Sequence, residues 1–264
     1  MVINREKVQS AYEAYTSSYN CSDIKYRLKK EHTYRVANLC EKIARSLHPG
    51  TEDVNLAWLL GILHDLGRFE QIRRYGTFDD MHSVNHAALS ADLLFKDGLI
   101  KDYLGNISGQ NPDFRLIEKA IRLHNVYMLP SGLSDRERMF CQILRDADKI
   151  DILKVNCDIP LTDIYNTPEE EFRRSAISPK VLEEALSCRN VDRNHAESTI
   201  DHLIIHICLP YGLVYKESIR LVKEQGYLEK TLSFRSDNPS TRRDMEKIRD
   251  CMHRYIEKRL QSDP

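Results

Sequence analysis

Residues 51–66 read TEDVNLAWLLGILHDL. The stretch from 56 to 63 is apolar without interruption, so a helix built on it has no polar face to offer to water. Such a helix must lie at the centre of a core, with other elements packed around it. Thr51, followed by Glu52 and Asp53, suits the positive end of a helix, and Gly67 marks the other end. The helix finishes on His64 and Asp65. An imidazole and a carboxylate at the end of a buried helix are costly unless both are engaged. A divalent cation satisfies both, and the nitrogen and oxygen donors suit zinc, iron, manganese or cobalt. No cysteine is adjacent, which argues against a soft thiolate site.

The rest of the chain reads as helical too. Asp23 can cap a helix over residues 23–47, with Leu28, Val36, Leu39, Cys40, Ile43 and Leu47 along one face, and Pro49-Gly50 breaks it. Residues 68–82 read as a polar, aromatic loop, and 83–95 as a helix. Asn111-Pro112-Asp113 opens a helix that runs to about His124. Ser134 and Glu137 form a capping box for a helix reaching at least Val155, and Thr167-Pro168-Glu169-Glu170 is a second box. Ser178-Pro179, a helix over 198–209 and a charged helix over 241–259 fill the remainder. No β alternation extends over six residues. With only 10 glycines and 9 prolines in 264 residues, the predicted fold class is all-α. Residues 20–155 read as a core unit and 156–264 as a helical extension packed on it. The nearest thing to a linker is 157–168, with a proline near each end.

Composition limits the function. The net charge is −1, so a global basic field is absent and no nucleic-acid polymer is expected as partner. The apolar run at 56–63 is too short to span a bilayer, and MVINREKVQS lacks the apolar core of a signal peptide. The expectation is a cytoplasmic chain without a membrane partner. Seven cysteines, an odd number with wide spacings and no CxxC pair, fit reduced thiols better than a disulfide framework.

Ten histidines are present, and five stand in telling contexts. These are His32 in EHTYRVANLC, His64 beside Asp65, His86 in NHAALSADLLF, and His124 in AIRLHN, with His82 in the loop between. Each of His32, His86 and His124 alone has a bland reading; His124, for instance, suits a helix C-terminus. His202 and His206 are four apart on an apolar helix, a spacing that permits chelation but more simply fits packing. The segment 211–215 is aromatic, with core packing as its default. The acidic run RDADKID adds Asp146, Asp148 and Asp151.

The order His32, His64-Asp65, Asp148 resembles the HD-domain superfamily of metal-dependent phosphohydrolases. H-x-x-R-V around His32, L-H-D-L-G-R-F, D-x-x-S-x-x-H-A from Asp80 to Ala87, H-N at His124 and D-A-D-K-I-D all carry the likeness. It covers residues 25–155. It implies a helical bundle around a divalent metal held by His32, His64, Asp65 and Asp148, with Asp146 the alternative to Asp148. Where such proteins hold two ions, Asp65 would bridge, and His86 and His124 would hold the second. One or two ions of manganese, iron, cobalt, zinc, nickel or magnesium are the expected cofactor.

Such a site suits phosphoester hydrolysis, because a metal activates water and screens phosphate charge. Arg35, one turn beyond His32, and Arg68, just after the His-Asp pair, are the arginines expected to meet phosphate; Arg73, Arg74 and Lys149 rank behind them. Asp65, Arg68 and Arg35 are thus the expected catalytic set. The expected partner is a small phosphorylated substrate, a nucleotide first, and homo-oligomerisation stays open. Two rivals remain: a di-iron oxygenase on the same fold, and a nucleotide-sensing module without turnover.

Overall fold

The computed structural model describes residues 1–48, 50–106, 109–159 and 167–262. Among these residues every regular element is helical and no strand occurs. None of the helices is long and apolar enough to cross a membrane. The chain divides into two compact units, Met1–Asp148 and Lys149–Pro264.

The first unit contains α1 (Arg5–Ser17), α2 (Ile24–Ser46), α3 (Thr51–Leu63), α4 (Leu66–Tyr75), α5 (His86–Ala91), α6 (Ile100–Leu104), α7 (Pro112–Arg122) and the first part of α8 (Asp135–Asp158). Helix α3 is buried on all sides from Leu56 to Leu63, as a helix without a polar face must be. Its closest companion is α2, and the two approach at Gly61. A Cβ there would lie 2.4 Å from the Ala37 Cα and 2.6 Å from its nitrogen. Only a glycine permits that crossing, and it lies three residues before His64. The helix α2 begins where Asp23 accepts a hydrogen bond from Lys25 N. Pro49, read as part of its breaker, lies outside the described residues.

Three local features depart from the sequence reading. The helix through the His-Asp pair does not run on to Gly67. It ends at Leu63, and α4 restarts at Leu66 and runs to Tyr75, so residues 68–75 are helix rather than loop. The reason lies in what α4 buries: Glu70 and Gln71 go inward with Phe69 and Ile72. Glu70 is 3% exposed and bound by Arg73, Arg74 and Tyr19, so the inward face mixes charged and polar residues with apolar ones and its helical pattern is blurred. The helix expected over 83–95 starts at His86, capped by Asn85, and continues as a wider π-helical turn over Asp92–Lys96. Helix α1 had no counterpart in the sequence reading; it contributes Val8 and Tyr12 to the core, and its Tyr15 hydroxyl donates to Leu66 O.

The second unit contains the end of α8 and then α9 (Glu169–Arg174), α10 (Pro179–Leu186), α11 (Thr199–Ile207), α12 (Lys216–Gln225), α13 (Tyr227–Leu232) and α14 (Pro239–Gln261). The helix expected from the second capping box starts at Glu169, but the cap position is Pro168 rather than Thr167 and carries no side-chain cap hydrogen bond. Residues 160–166 of the candidate linker lie outside the described residues. Helix α11 buries Leu203, Ile204, Ile205 and Ile207. The long α14 turns Met245, Ile248, Met252 and Ile256 inward at three- and four-residue spacing. Tyr211 packs edge-on against Tyr255, the core role expected of that aromatic segment.

Gly61→Ala tests the α2–α3 crossing. The added methyl meets backbone, which cannot turn aside, so a loss of about 1–3 kcal/mol is expected despite alanine's better helix propensity. Gly109→Ala, where nothing lies within 4 Å of the new Cβ, serves as the comparison. Urea unfolding of both variants reads the difference; equal midpoints would show the crossing to be slack.

Candidate metal centre

The interruption between α3 and α4 makes the site. His64 stays helical at φ −61°, while Asp65 swings to φ −108°, ψ 16°. Both side chains are thereby directed into the interior of the first unit, and their exposures fall to 0% and 2%. Gly67 keeps α4 tight against α5, because a Cβ there would lie 2.5 Å from Ser90 N and 2.7 Å from His86 O. The Gly67 N–H donates to Ser90 Oγ at 2.8 Å. Helix α2 supplies His32, α5 supplies His86, the end of α7 supplies His124 and α8 supplies Asp148.

These six residues converge as two groups, His32, His64 and Asp148 in one, and Asp65, His86 and His124 in the other. In each group the ligand atoms lie within 4.8 Å of one another. Asp65 joins them. Its Oδ2 is 3.6 Å from Nε2 of both His32 and His64. Its Oδ1 is 3.6 Å from His86 Nε2 and 3.8 Å from His124 Nε2. Asp148 Oδ1 lies 3.2 Å from His32 Nε2 and 3.9 Å from His64 Nε2. Asp146, buried on the same helix, belongs to neither group.

Hydrogen bonds on the far side of the rings decide which nitrogen faces inward. His64 Nδ1 lies 2.8 Å from Gly61 O, and His124 Nδ1 lies 2.7 Å from Ile121 O. A carbonyl only accepts, so both Nδ1 atoms carry the hydrogen. His86 Nδ1 is 2.6 Å from Asp80 Oδ2 and donates likewise. A neutral imidazole has one N–H, which leaves all three Nε2 atoms as lone pairs pointing into the centre. Among the described residues the buried His64 Nε2 has no hydrogen-bond partner. The Nε2 atoms of His86 and His124 face each other at 2.9 Å. Two lone pairs at that distance repel; a shared cation removes the conflict, and the spacing suits two nitrogens each roughly 2.0–2.1 Å from one ion. The donor set therefore fits divalent metal.

The electrostatics agree. Burial pushes both His86 and His124 down to about 4, with the Arg68 charge adding to the effect on His86 and the neighbouring His64 adding to that on His124. Burial also lowers His64. Burial alone would raise Asp65, but Lys29, His64, His86 and Arg68 hold it well below the usual carboxylate range. His32 overcomes burial at Asp148 in the same way. Asp65 and Asp148 are therefore carboxylates and His64, His86 and His124 neutral imidazoles, the protonation states that bind metal.

The supporting shell was largely invisible in the sequence. Asp80 holds His86 through one oxygen and accepts from Arg68 Nη1 at 2.9 Å and Gln71 Nε2 at 3.0 Å through the other. Asn125 also donates to Asp80. Asp80 stood in a recognised motif but had no role assigned. Arg145, 6% exposed, donates to the carbonyls of Leu123, His124, Val126 and Tyr127 and so pins the segment that carries His124. Lys29 Nζ lies 2.8 Å from Asp65 Oδ2. A glycine inside an apolar helix and an arginine inside ILRDAD were the only signals available for Gly61 and Arg145.

Residues 30–154 match the family model of the HD domain. This segment is an HD domain. All six converging donors fall inside it. Comparison with curated proteins and with solved structures gave no match.

The other candidates are placed as follows. Arg68 lies beside the centre, but its Nη1 is committed to Gln71, Phe78 O and Asp80, while its Nε approaches Asp65 Oδ1 at 3.8 Å. Arg35 lies 3.7 Å from Glu31. Arg73 and Arg74 pair with Glu70, and Lys149 donates to Gly212 O. His82 is 81% exposed on its side chain. His202 is exposed, His206 half-buried, and neither joins a three-ligand group among the described residues.

The low histidine values give a pH signature for the HD domain stripped of metal. The unfolded chain protonates His86 and His124 near 6.5, whereas the fold resists until about 4. Stability should be full above pH 6.5 and fall as the pH drops through the interval to 4, by up to about 3 kcal/mol for each histidine. His64 acts in the same direction. Thermal melts of chelator-treated wild type and His124→Gln read the slope, which should be shallower in the variant. Parallel slopes would show that His124 is not held neutral.

Proposed function

We propose that the chain is a metal-dependent phosphohydrolase that cleaves a phosphomonoester or phosphodiester, with a nucleotide as the first substrate class. The observation that carries the reading is Asp65, whose two oxygens face two separate imidazole pairs, His32 with His64 and His86 with His124. That arrangement suits a pair of divalent ions sharing one carboxylate. Ions held there would supply Lewis acidity toward a phosphoryl oxygen and would lower the pKa of a coordinated water.

The chain's own residues set the conditions for that chemistry. His32, His64 and Asp148 would hold one ion, and His86 and His124 the other, with Asp65 available to both. The Nδ1 hydrogen bonds to Gly61, Ile121 and Asp80 fix the tautomer and direction of the His64, His124 and His86 rings. Arg68 steadies Asp80 and thereby His86. Arg68 and Arg35 remain the arginines proposed to meet the substrate's phosphate. A cytoplasmic location belongs to the same reading.

Metal analysis of freshly purified protein should find two ions per chain. His86→Ala combined with His124→Ala should leave about one, and Asp65→Ala should abolish both sites. Wild type with its metal restored should release phosphate or a nucleoside monophosphate from a panel of phosphorylated metabolites, without oxygen uptake. Oxygen consumption with no phosphoester cleavage would overturn the reading in favour of an oxygenase. One ion in wild type, unchanged in the double variant, would overturn the two-metal version.

Asp80→Asn should weaken metal retention or turnover by roughly 10–100-fold, as expected when a ligating histidine loses its carboxylate support. The same assay and metal measurement check it; wild-type behaviour would show that His86 is oriented sufficiently without the Asp80 carboxylate.

A further inference from the structure

Lys29 lies on α2, three residues before His32. Its side chain is 15% exposed, against 3% for Asp65 and 2% for His32. Asp148, at 17%, is the other member of this cluster that solvent reaches. The Lys29 ammonium sits 2.8 Å from Asp65 Oδ2, the oxygen that faces His32 and His64, and 5.3 Å from the centre of the Phe78 ring. An anion entering this cluster from solvent therefore meets Lys29 at the edge.

The charge balance makes this cation informative. Asp65 and Asp148 bring two negative charges to the paired clusters, and imidazoles bind metal as neutral donors. Two divalent ions more than cancel those carboxylates. Lys29 would then stand beside an already positive centre, and like charges a few ångströms apart in a half-buried site repel appreciably. A further anion between them relieves the repulsion. Arg68 is poorly placed to share that anion through Nη1, which donates to Gln71, Phe78 O and Asp80. An ammonium on a flexible stem has three donors, and the Asp65 contact takes one.

We propose that Lys29 binds a phosphate oxygen of the substrate through its ammonium group while keeping its hydrogen bond to Asp65. The assignment rests on the phosphohydrolase reading above. It makes Lys29 a substrate-binding residue rather than a support for Asp65 alone.

The test uses the full chain, loaded with manganese, as wild type, Lys29→Met and Lys29→Arg. Metal content is measured on each, and inorganic phosphate is titrated calorimetrically into each. Lys29→Met should keep the wild-type metal content and bind phosphate roughly 10–100-fold more weakly, the loss of one charge-assisted hydrogen bond. Lys29→Arg should recover part of that affinity. Full metal content with unchanged phosphate affinity in Lys29→Met overturns the assignment and leaves the phosphohydrolase reading standing. Loss of metal in both variants overturns it as well, because Lys29 would then only hold Asp65. Wild type that binds both ions, but neither phosphate nor any phosphoester, removes the phosphohydrolase reading and this assignment together.

Discussion

The contact on which the centre depends is the backbone approach of α2 to α3 at Gly61. The Ala37 backbone occupies the space where any side chain at position 61 would sit. That crossing brings His32, five residues earlier on α2, and His64, three residues later on α3, to the same depth. It also exposes the cost of the design. A glycine in a helix interior forfeits roughly 1 kcal/mol of propensity relative to alanine. The surrounding apolar burial of Leu59, Leu60, Ile62 and Leu63 offsets it.

A second constraint follows from what that crossing buries. Carboxylates and imidazoles gathered out of water are unfavourable unless each has a counter-charge or hydrogen bond. Here the outer edges are satisfied by protein: Gly61 O, Ile121 O and Asp80 accept from the rings, and Lys29 donates to Asp65. The inner edges are a set of lone pairs and negative oxygens turned toward one another. Protein groups could have filled that interior, as they do at Asp201, whose carboxylate accepts from Ser178, Glu197 and Ser198. The contrast is with Asp65, whose Oδ2 accepts from Lys29 while both oxygens also face imidazoles of the two clusters that could hold an ion.

The sequence was legible where local chemistry and burial point the same way. The all-apolar run of α3, the Asp23 cap, the Asn111-Pro112 start and the Ser134–Glu137 box each name one structure, and the structure has them. The six donors were read from the order and context of their motifs, with Asp146 and Asp148 separated only by resemblance. Legibility failed where polar residues go inward. Helix α4 hides Glu70 and Gln71 behind an unremarkable polar pattern, and α1 carries only Val8, Tyr12 and Thr16 at its buried positions. Lys29 and Arg145 act through partners distant in sequence, Asp65 and the 123–127 carbonyls. No local pattern announces such pairings.

The Arg145 clasp has a consequence for how the centre is acquired. Residues 123–127 follow α7 without a helix of their own to fix them, yet four of their carbonyls share one guanidinium. The segment is thereby ordered by the fold, and the entropy of placing His124 is spent before an ion arrives. An ion bound there would find the His124 nitrogen already aimed, and selectivity would rest on whether its preferred radius and coordination angles match a rigid frame. A chain with the same six donors but a loose 123–127 segment would accept a wider range of ions and hold each less firmly.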